Sequence, residues 1–231
     1  MLILALDAST SAVTVAVARA SESGREVLAE VSVPSRGASE ALLPAAHAAL
    51  SLAGRDLNEV ERILVGVGPG TFTGIRIALA AARGLALATG AALSKNSTLA
   101  ALAAPASMSM EEPDVLAVLD AKRRQVFMQR FAGGYAPEKI LCVTPEELPA
   151  PDESLREPRT LLVGDGAVRY RAMLSGLGRM APDASPLHRV TATGHVLSAD
   201  LSPVSAREVV PLYVREPDAE VRRDLNPWSR G

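Results

Sequence analysis

ILVGVGPGTFTGIRIALAAARGLALATG, residues Ile63–Gly90, opens with a short apolar run that predicts a buried strand at Ile63–Val67. A glycine loop follows, with Gly66, Gly68, Gly70 and Gly74 set around Pro69. Thr71 and Thr73 stand where helix N-caps belong, a helix runs on to about Thr89, and Gly90 stops it. A strand feeding a glycine loop and a helix N-terminus can receive an anion, because free backbone N–H groups and the helix dipole point at it. Glycines also let a strand turn tightly into a helix, and the loop by itself favours that plainer reading. No Gly-Lys-Ser/Thr follows, so this is not a Walker loop. Thr73 stands where G-x-G-x-x-G needs its last glycine after Gly68 and Gly70.

The helix is apolar almost all the way round. Ile75, Leu79, Ala82 and Ala86 mark one face, and Ile77, Ala81, Leu85 and Ala88 another. Its only charges, Arg76 and Arg83, share one side. A helix of this kind is buried on both sides. A sheet of its own domain covers one, and a second domain or another protein covers the other. The small residues Gly74, Ala78, Ala81, Ala82 and Gly84 permit close helix approach. Two arginines, and the lack of an apolar run of about 18 residues, argue against a membrane span.

The chain has 231 residues, enough for one large domain or two small ones. A net charge of -2 argues against a protein that grips nucleic acid unaided, and 3% aromatic residues against base-stacking platforms. The single cysteine, Cys142, lies in an apolar run and excludes a disulfide framework. The N-terminus MLILALDAST shows no basic n-region and no cleavage site, so it reads as strand, and the chain as cytoplasmic. Pro105–Asp114 and Thr144–Thr160 concentrate proline and charge, and the first reads as a boundary.

Leu2–Leu6, Val13–Ala18 and Val27–Val33 read as three strands joined by hairpins, and Ser39–Ala53 as a helix with Leu42, Ala46, Ala49, Leu50 and Ala53 on its apolar stripe. After the central segment, Leu99–Ala104 reads as a short helix. The pattern then restarts with strands at Val115–Leu119, Gln125–Phe131 and Ile140–Val143. Arg169–Leu177 reads as a helix and Val209–Val214 as a last edge strand. Leu6-Asp7-Ala8 returns as Leu119-Asp120-Ala121, and Leu64-Val65-Gly66 as Leu162-Val163-Gly164, in the same order and at a shorter spacing. Two unequal, repeated lobes follow.

Two lobes that each open with a strand ending in Asp resemble the actin, sugar-kinase and Hsp70 superfamily. Within it the chain is similar to the TsaB (YeaZ) family. The likeness rests on LALDAST at Leu4–Thr10, ASE and LLP within Ala38–Pro44, VGVGPGTFTGIRIALAAARGLAL at Val65–Leu87, LDAKRRQVF at Leu119–Phe127, GDGA at Gly164–Ala167 and PLYVR at Pro211–Arg215. The GPG-S/T-FTG-x-R segment is the specific one. The family often has His where Ala38 stands, and a stretch like GVSSLEALA where Ser94–Leu99 stands. The resemblance implies an α/β fold of two unequal actin-like (ASKHA) lobes, each a mixed sheet flanked by helices. Residues 1–104 would form the first lobe, 105–215 the smaller second lobe, and 216–231 a loose tail. It also implies a non-catalytic subunit of the bacterial machinery that places a threonylcarbamoyl group on adenosine 37 of tRNA. That subunit binds and activates a TsaD-type transferase, is joined by a TsaE-type ATPase, meets tRNA only within the complex, and forms a homodimer when alone.

On this reading the helices Ser39–Ala53 and Gly74–Thr89 make the partner patch, through Glu40, Leu42, Leu43, His47, Ile75, Arg76, Leu79, Ala82 and Arg83. The residues chemically able to meet a phosphate or nucleotide are Asp7, Ser9, Thr10, Gly68, Gly70, Thr71 and Thr73. For Asp7 and Ser9, capping of the turn is the favoured role. A small ATPase or kinase using Asp7 and Gly68–Gly74 is the rival function. No cofactor or metal is expected, because Ala91–Ala104 holds no His, Asp, Glu or Cys and His47, His188 and His195 are dispersed. No Ser-His-Asp or Cys-His set is apparent, which argues against a peptidase. Lys122-Arg123-Arg124 reads as a solvated hairpin tip rather than a contact to tRNA phosphates.

Overall fold

β1 (Leu2–Asp7) is apolar at every position but its last because both faces of its sheet are covered. In this computed structural model, which describes residues 1–34, 37–108, 114–132, 137–148 and 160–214, β1 is the central strand of the first of two sheets. It pairs antiparallel with β2 (Ala12–Ser21), which pairs with β3 (Gly24–Pro34). On its other edge it runs parallel to β4 (Arg62–Gly66), followed by β5 (Ala92–Asn96). The second sheet repeats the plan. β6 (Asp114–Lys122) pairs antiparallel with β7 (Gln125–Phe131) and through it with β8 (Leu141–Val143). β9 (Thr160–Val163) and β10 (Arg179–Met180) lie parallel on the other side. The orders β3-β2-β1-β4-β5 and β8-β7-β6-β9-β10 are the same order written twice. Mixed sheets flanked by helices, two unequal lobes and actin-like topology are therefore what the repeated strings encode.

Strand alternation assigns the layers. Leu4 and Leu6 face α1 (Ala38–Leu52) and α2 (Phe72–Thr89), in a core with Leu42, Ala49, Ile75 and Leu79. Ile3 and Ala5 face the other way, onto α6 (Ala192–Ser198). α6 in turn packs on α3 (Thr98–Met108), whose Leu99, Leu102 and Ala106 join the core of the second sheet. The far face of that sheet carries α4 (Asp165–Arg169) and α5 (Arg171–Leu174).

Several elements differ from the sequence reading. The helix that is buried all round is α3, not α2. α2 is long and apolar enough by composition to cross a membrane, yet only its inner stripe of Gly74, Ile75, Ala78, Leu79 and Ala82 is buried. α3 runs on through Pro105 to Met108, and residues 109–113 of the expected boundary lie outside the described residues. So do residues 149–159 of the second expected loop and the tail 216–231. The helix expected at Arg169–Leu177 is α5 followed by a 3-10 turn, with α4 before it. Val209–Val214 is not a strand: Pro211 lacks a donor, and Leu212 N–H to Val67 O, 2.8 Å, is the one backbone bond the segment makes to the strand–loop unit.

Two glycines set how closely the elements approach. A Cβ at Gly66 would occupy the space of the Asp7 carboxylate, and one at Gly74 that of the Ala8 carbonyl. Gly66→Ala should therefore destabilise the fold by about 1–3 kcal/mol in urea unfolding, the usual cost of overpacking. Gly84 on the outer side of α2 has open space, and Gly84→Ala should instead be neutral or stabilising by up to about 1 kcal/mol. Equal effects from the two changes would contradict this packing.

Candidate functional site

Asp7 continues the Ile3–Ala5 side of β1, so it points toward α6 and not into solvent. There it meets His195, whose Nε2 lies 3.0 Å from Asp7 Oδ2, with both side chains 0% exposed. The Ser9 amide and hydroxyl donate to Asp7 Oδ1 at 2.6 and 2.8 Å, and Thr98 Oγ1 lies 3.4 Å from Oδ2. On the far side of the ring, Asn96 Nδ2 is 3.3 Å from His195 Nδ1 and donates to Ser198 Oγ at 2.7 Å. Asn96 and Asp7 thus hold the imidazole from its two ring nitrogens. Burial by itself raises the Asp7 carboxyl. The hydrogen bond and electrostatic attraction of His195, with the two Ser9 donors, outweigh it and hold the group below its ordinary value.

This cluster bears on two readings. Asp7 and Ser9 are sealed and spend their polar atoms on each other, so neither is open to a phosphate; capping of the turn is what they do. Ser, His and Asp do come together, but the carboxylate lies between the other two, and Ser9 donates to Asp7, not to a base. Of the remaining phosphate candidates, Gly68 is buried and its carbonyl accepts the Thr98 amide at 2.8 Å. Gly70 is closed against Ser9, and Thr10 is half-buried. Thr71 and Thr73 are exposed and line, with Ser39 and Gly37, a hollow of about 280 Å³ between the starts of α1 and α2. In the second lobe, Asp120 is held by Lys122 at 2.9 Å, and its amide donates to Asp165. Burial pushes the Asp165 carboxyl up, against its bond from the Asp120 amide. Lys122, Arg123 and Arg124 stand exposed at the hairpin tip. Among the described residues, no three His, Cys, Asp or Glu side chains converge as metal ligands would.

The expected partner patch divides in two. Leu42, Ile75, Leu79 and Ala82 are buried in the core of their own lobe, so they are not surface. Glu40, Leu43, His47, Arg76 and Arg83 are exposed. The two arginines do not rim an empty patch: Arg83 donates to Val209 O at 2.7 Å, and Arg76 to the Tyr213 hydroxyl, fastening residues 209–213 along α2. Leu43 and Leu52, on opposite flanks of α1, and Leu87, on the outer side of α2, are exposed at 51, 71 and 89%. Beside Leu87 on α2 lie the small residues Ala80, Gly84 and Ala88. Leu52 and Leu87 escaped the sequence reading, although Leu87 sits opposite the inward stripe of α2.

The family profile described as TsaD, tRNA N6-adenosine threonylcarbamoyltransferase, matches residues 30–153. An uncharacterised protein of Mycobacterium tuberculosis is 32% identical over 94% of this chain and 93% of its own length. The tRNA threonylcarbamoyladenosine biosynthesis protein TsaB of Haemophilus influenzae is 26% identical over 92% of this chain and 93% of its own. The solved structure of YeaZ from Pseudomonas aeruginosa superposes with a TM-score of 0.68 at 27% identity, covering 92% of this chain and 99% of that one. The chain belongs to the TsaB/YeaZ family. In this TsaB/YeaZ chain the loop glycines serve the packing of the β1 turn, as Gly66 and Gly74 show.

The buried carboxylate gives a pH signature. Its folded-state pKa lies below the unfolded value of about 3.9, so ionised Asp7 stabilises the fold fully above that value. The contribution is lost as pH falls through the folded-state pKa. Asp7→Asn should be less stable than the natural chain near about pH 6, and the gap should shrink below about pH 4. A gap that is constant with pH in urea unfolding would show that the carboxylate's charge plays no part.

Proposed function

We propose that this chain is a non-catalytic binding subunit in the formation of threonylcarbamoyladenosine at position 37 of tRNA. It acts in the cytoplasm by docking onto and activating a TsaD-type transferase, with a TsaE-type ATPase joining them. tRNA is met only within that complex. One observation carries the reading: the outer side of α2 exposes Leu87 beside Ala80 and Gly84, small residues that admit a second helix closely, and α1, packed on α2, exposes Leu43 and Leu52 on its flanks. The matching profile bears the transferase's own description, so a partner of related fold would offer corresponding helices, like against like. The same self-complementary face supports a homodimer when the chain is alone. A contact of about 800 Å² per partner is enough for a stable interface. The enclosure of Asp7 beneath His195 weighs against the rival ATPase, which needs that carboxylate at the cleft.

Two glutamate substitutions separate the inner and outer faces of α2. Leu87→Glu should melt near the natural temperature yet lose at least about 2 kcal/mol of affinity for the transferase subunit, the loss expected at an interface hot spot. Ala82→Glu places an uncompensated charge in the core and should cost about 3–5 kcal/mol of fold stability. Melting curves and calorimetric titration with the co-expressed transferase read both. Unchanged affinity in Leu87→Glu would refute the proposed face, and steady ATP turnover by the isolated chain would refute the non-catalytic role.

A further inference from the structure

A cleft of about 550 Å³ opens between the lobes, and no leucine of the α1–α2 surface lines it. The first turn of α2 and residues 212–214 form one wall, and the β6–β7 hairpin the other. A chain with only 3% aromatic residues places Phe72, Tyr213 and Phe127 around this one space. Phe72 and Tyr213 remain 55 and 51% exposed, although their rings stack with centroids 5.9 Å apart and planes at 26°. Exposed aromatic faces such as those of Phe72 and Tyr213 in a concave site are a binding feature, while Phe127, 7% exposed, belongs to the core of the second sheet and shows the cleft only an edge.

The polar groups converge on the same place. The Arg76 guanidinium lies 3.6 Å from the centroid of the Phe72 ring. Its Nε and one terminal nitrogen donate to the Tyr213 hydroxyl at 3.3 and 3.2 Å. Its plane is thus fixed before any ligand arrives, which lowers the ordering cost of binding. No carboxylate among the described residues pairs with Arg76. Across the cleft, Asp120 is the one acidic side chain in the lining among the described residues. Lys122 at 2.9 Å and Arg169 at 3.8 Å already answer its charge, and its side chain is only 4% exposed. The cleft therefore presents apolar walls and a guanidinium with no carboxylate partner among the described residues.

We propose that this interlobe cleft binds a small planar aromatic anion, its ring between the Phe72–Tyr213 wall and Phe127 and its negative group at Arg76. The proposal does not rest on the transferase pairing, since no outer leucine lines the cleft.

The test titrates the purified full chain with 8-anilinonaphthalene-1-sulfonate, a planar aromatic anion, and with its uncharged counterpart N-phenyl-1-naphthylamine. Saturable binding of the sulfonate to one site is expected. Phe72→Ala should weaken it about tenfold, the loss of one stacked ring contact. Arg76→Gln should weaken the sulfonate several-fold and leave the uncharged probe unaffected. Both positions are exposed, and matched melting curves confirm that the variants fold. Three results would each overturn the proposal: no saturable binding, Phe72→Ala indistinguishable from the natural chain, or a loss in Leu87→Ala in place of Phe72→Ala. The last would put the probe on the outer helix face.

Discussion

A fully buried carboxylate and a fully buried imidazole, Asp7 and His195, meet at the junction of the first sheet with α6, and much of the chain is arranged to let them. Burying an ionisable group without partners is costly, so each polar atom of the pair has to be answered. Ser9 supplies two donors from the turn after β1, Thr98 reaches in from the start of α3, and Asn96 holds the ring from β5. Gly66 at the end of β4 leaves the carboxylate its room. Five elements close on one charge, from segments as far apart as residues 7 and 195.

That arrangement explains why the glycine loop resembles a phosphate cradle without serving as one. The loop lies directly on the β1 turn, with the Thr71 amide donating to Ser9 O at 2.6 Å. The atoms that would face a phosphate face Ala8 and Ser9 instead. With this end of the sheet occupied by structure, the surfaces left for recognition lie elsewhere. They are the outer side of α1 and α2, and the aromatic cleft. Arg76 and Arg83 bind residues 209–213 along α2, so both surfaces rest on the same helix.

Much of the fold is legible in the residues themselves. The strings Leu6-Asp7-Ala8 and Leu119-Asp120-Ala121 mark equivalent strands, and the common strand order of the two sheets follows from that repetition. α2 ends at Gly90 in the left-handed conformation, as its sequence requires. The inward side of α2 was not legible, because a helix apolar all round offers two sides. Only the shape of sheet 1 selects Ile75, Leu79 and Ala82 over Ala80, Gly84 and Leu87. His195 was not legible as the partner of Asp7 either. It sits on a seven-residue helix, and no local periodicity encodes a contact 188 positions away in the chain. Val209–Val214 carries a strand's composition but finds no strand edge to complete, and side chains of α2 hold it instead.

The account depends on the Asp7–His195 contact being a coupled structural pair, and a double-mutant cycle measures that coupling directly. Asp7→Ala, His195→Ala and the double variant would be unfolded in urea at neutral pH. The account predicts that the double variant loses much less than the sum of the single losses, with a coupling energy of about 2 kcal/mol or more. Losses that add to within about 0.5 kcal/mol would show two independent side chains and contradict it.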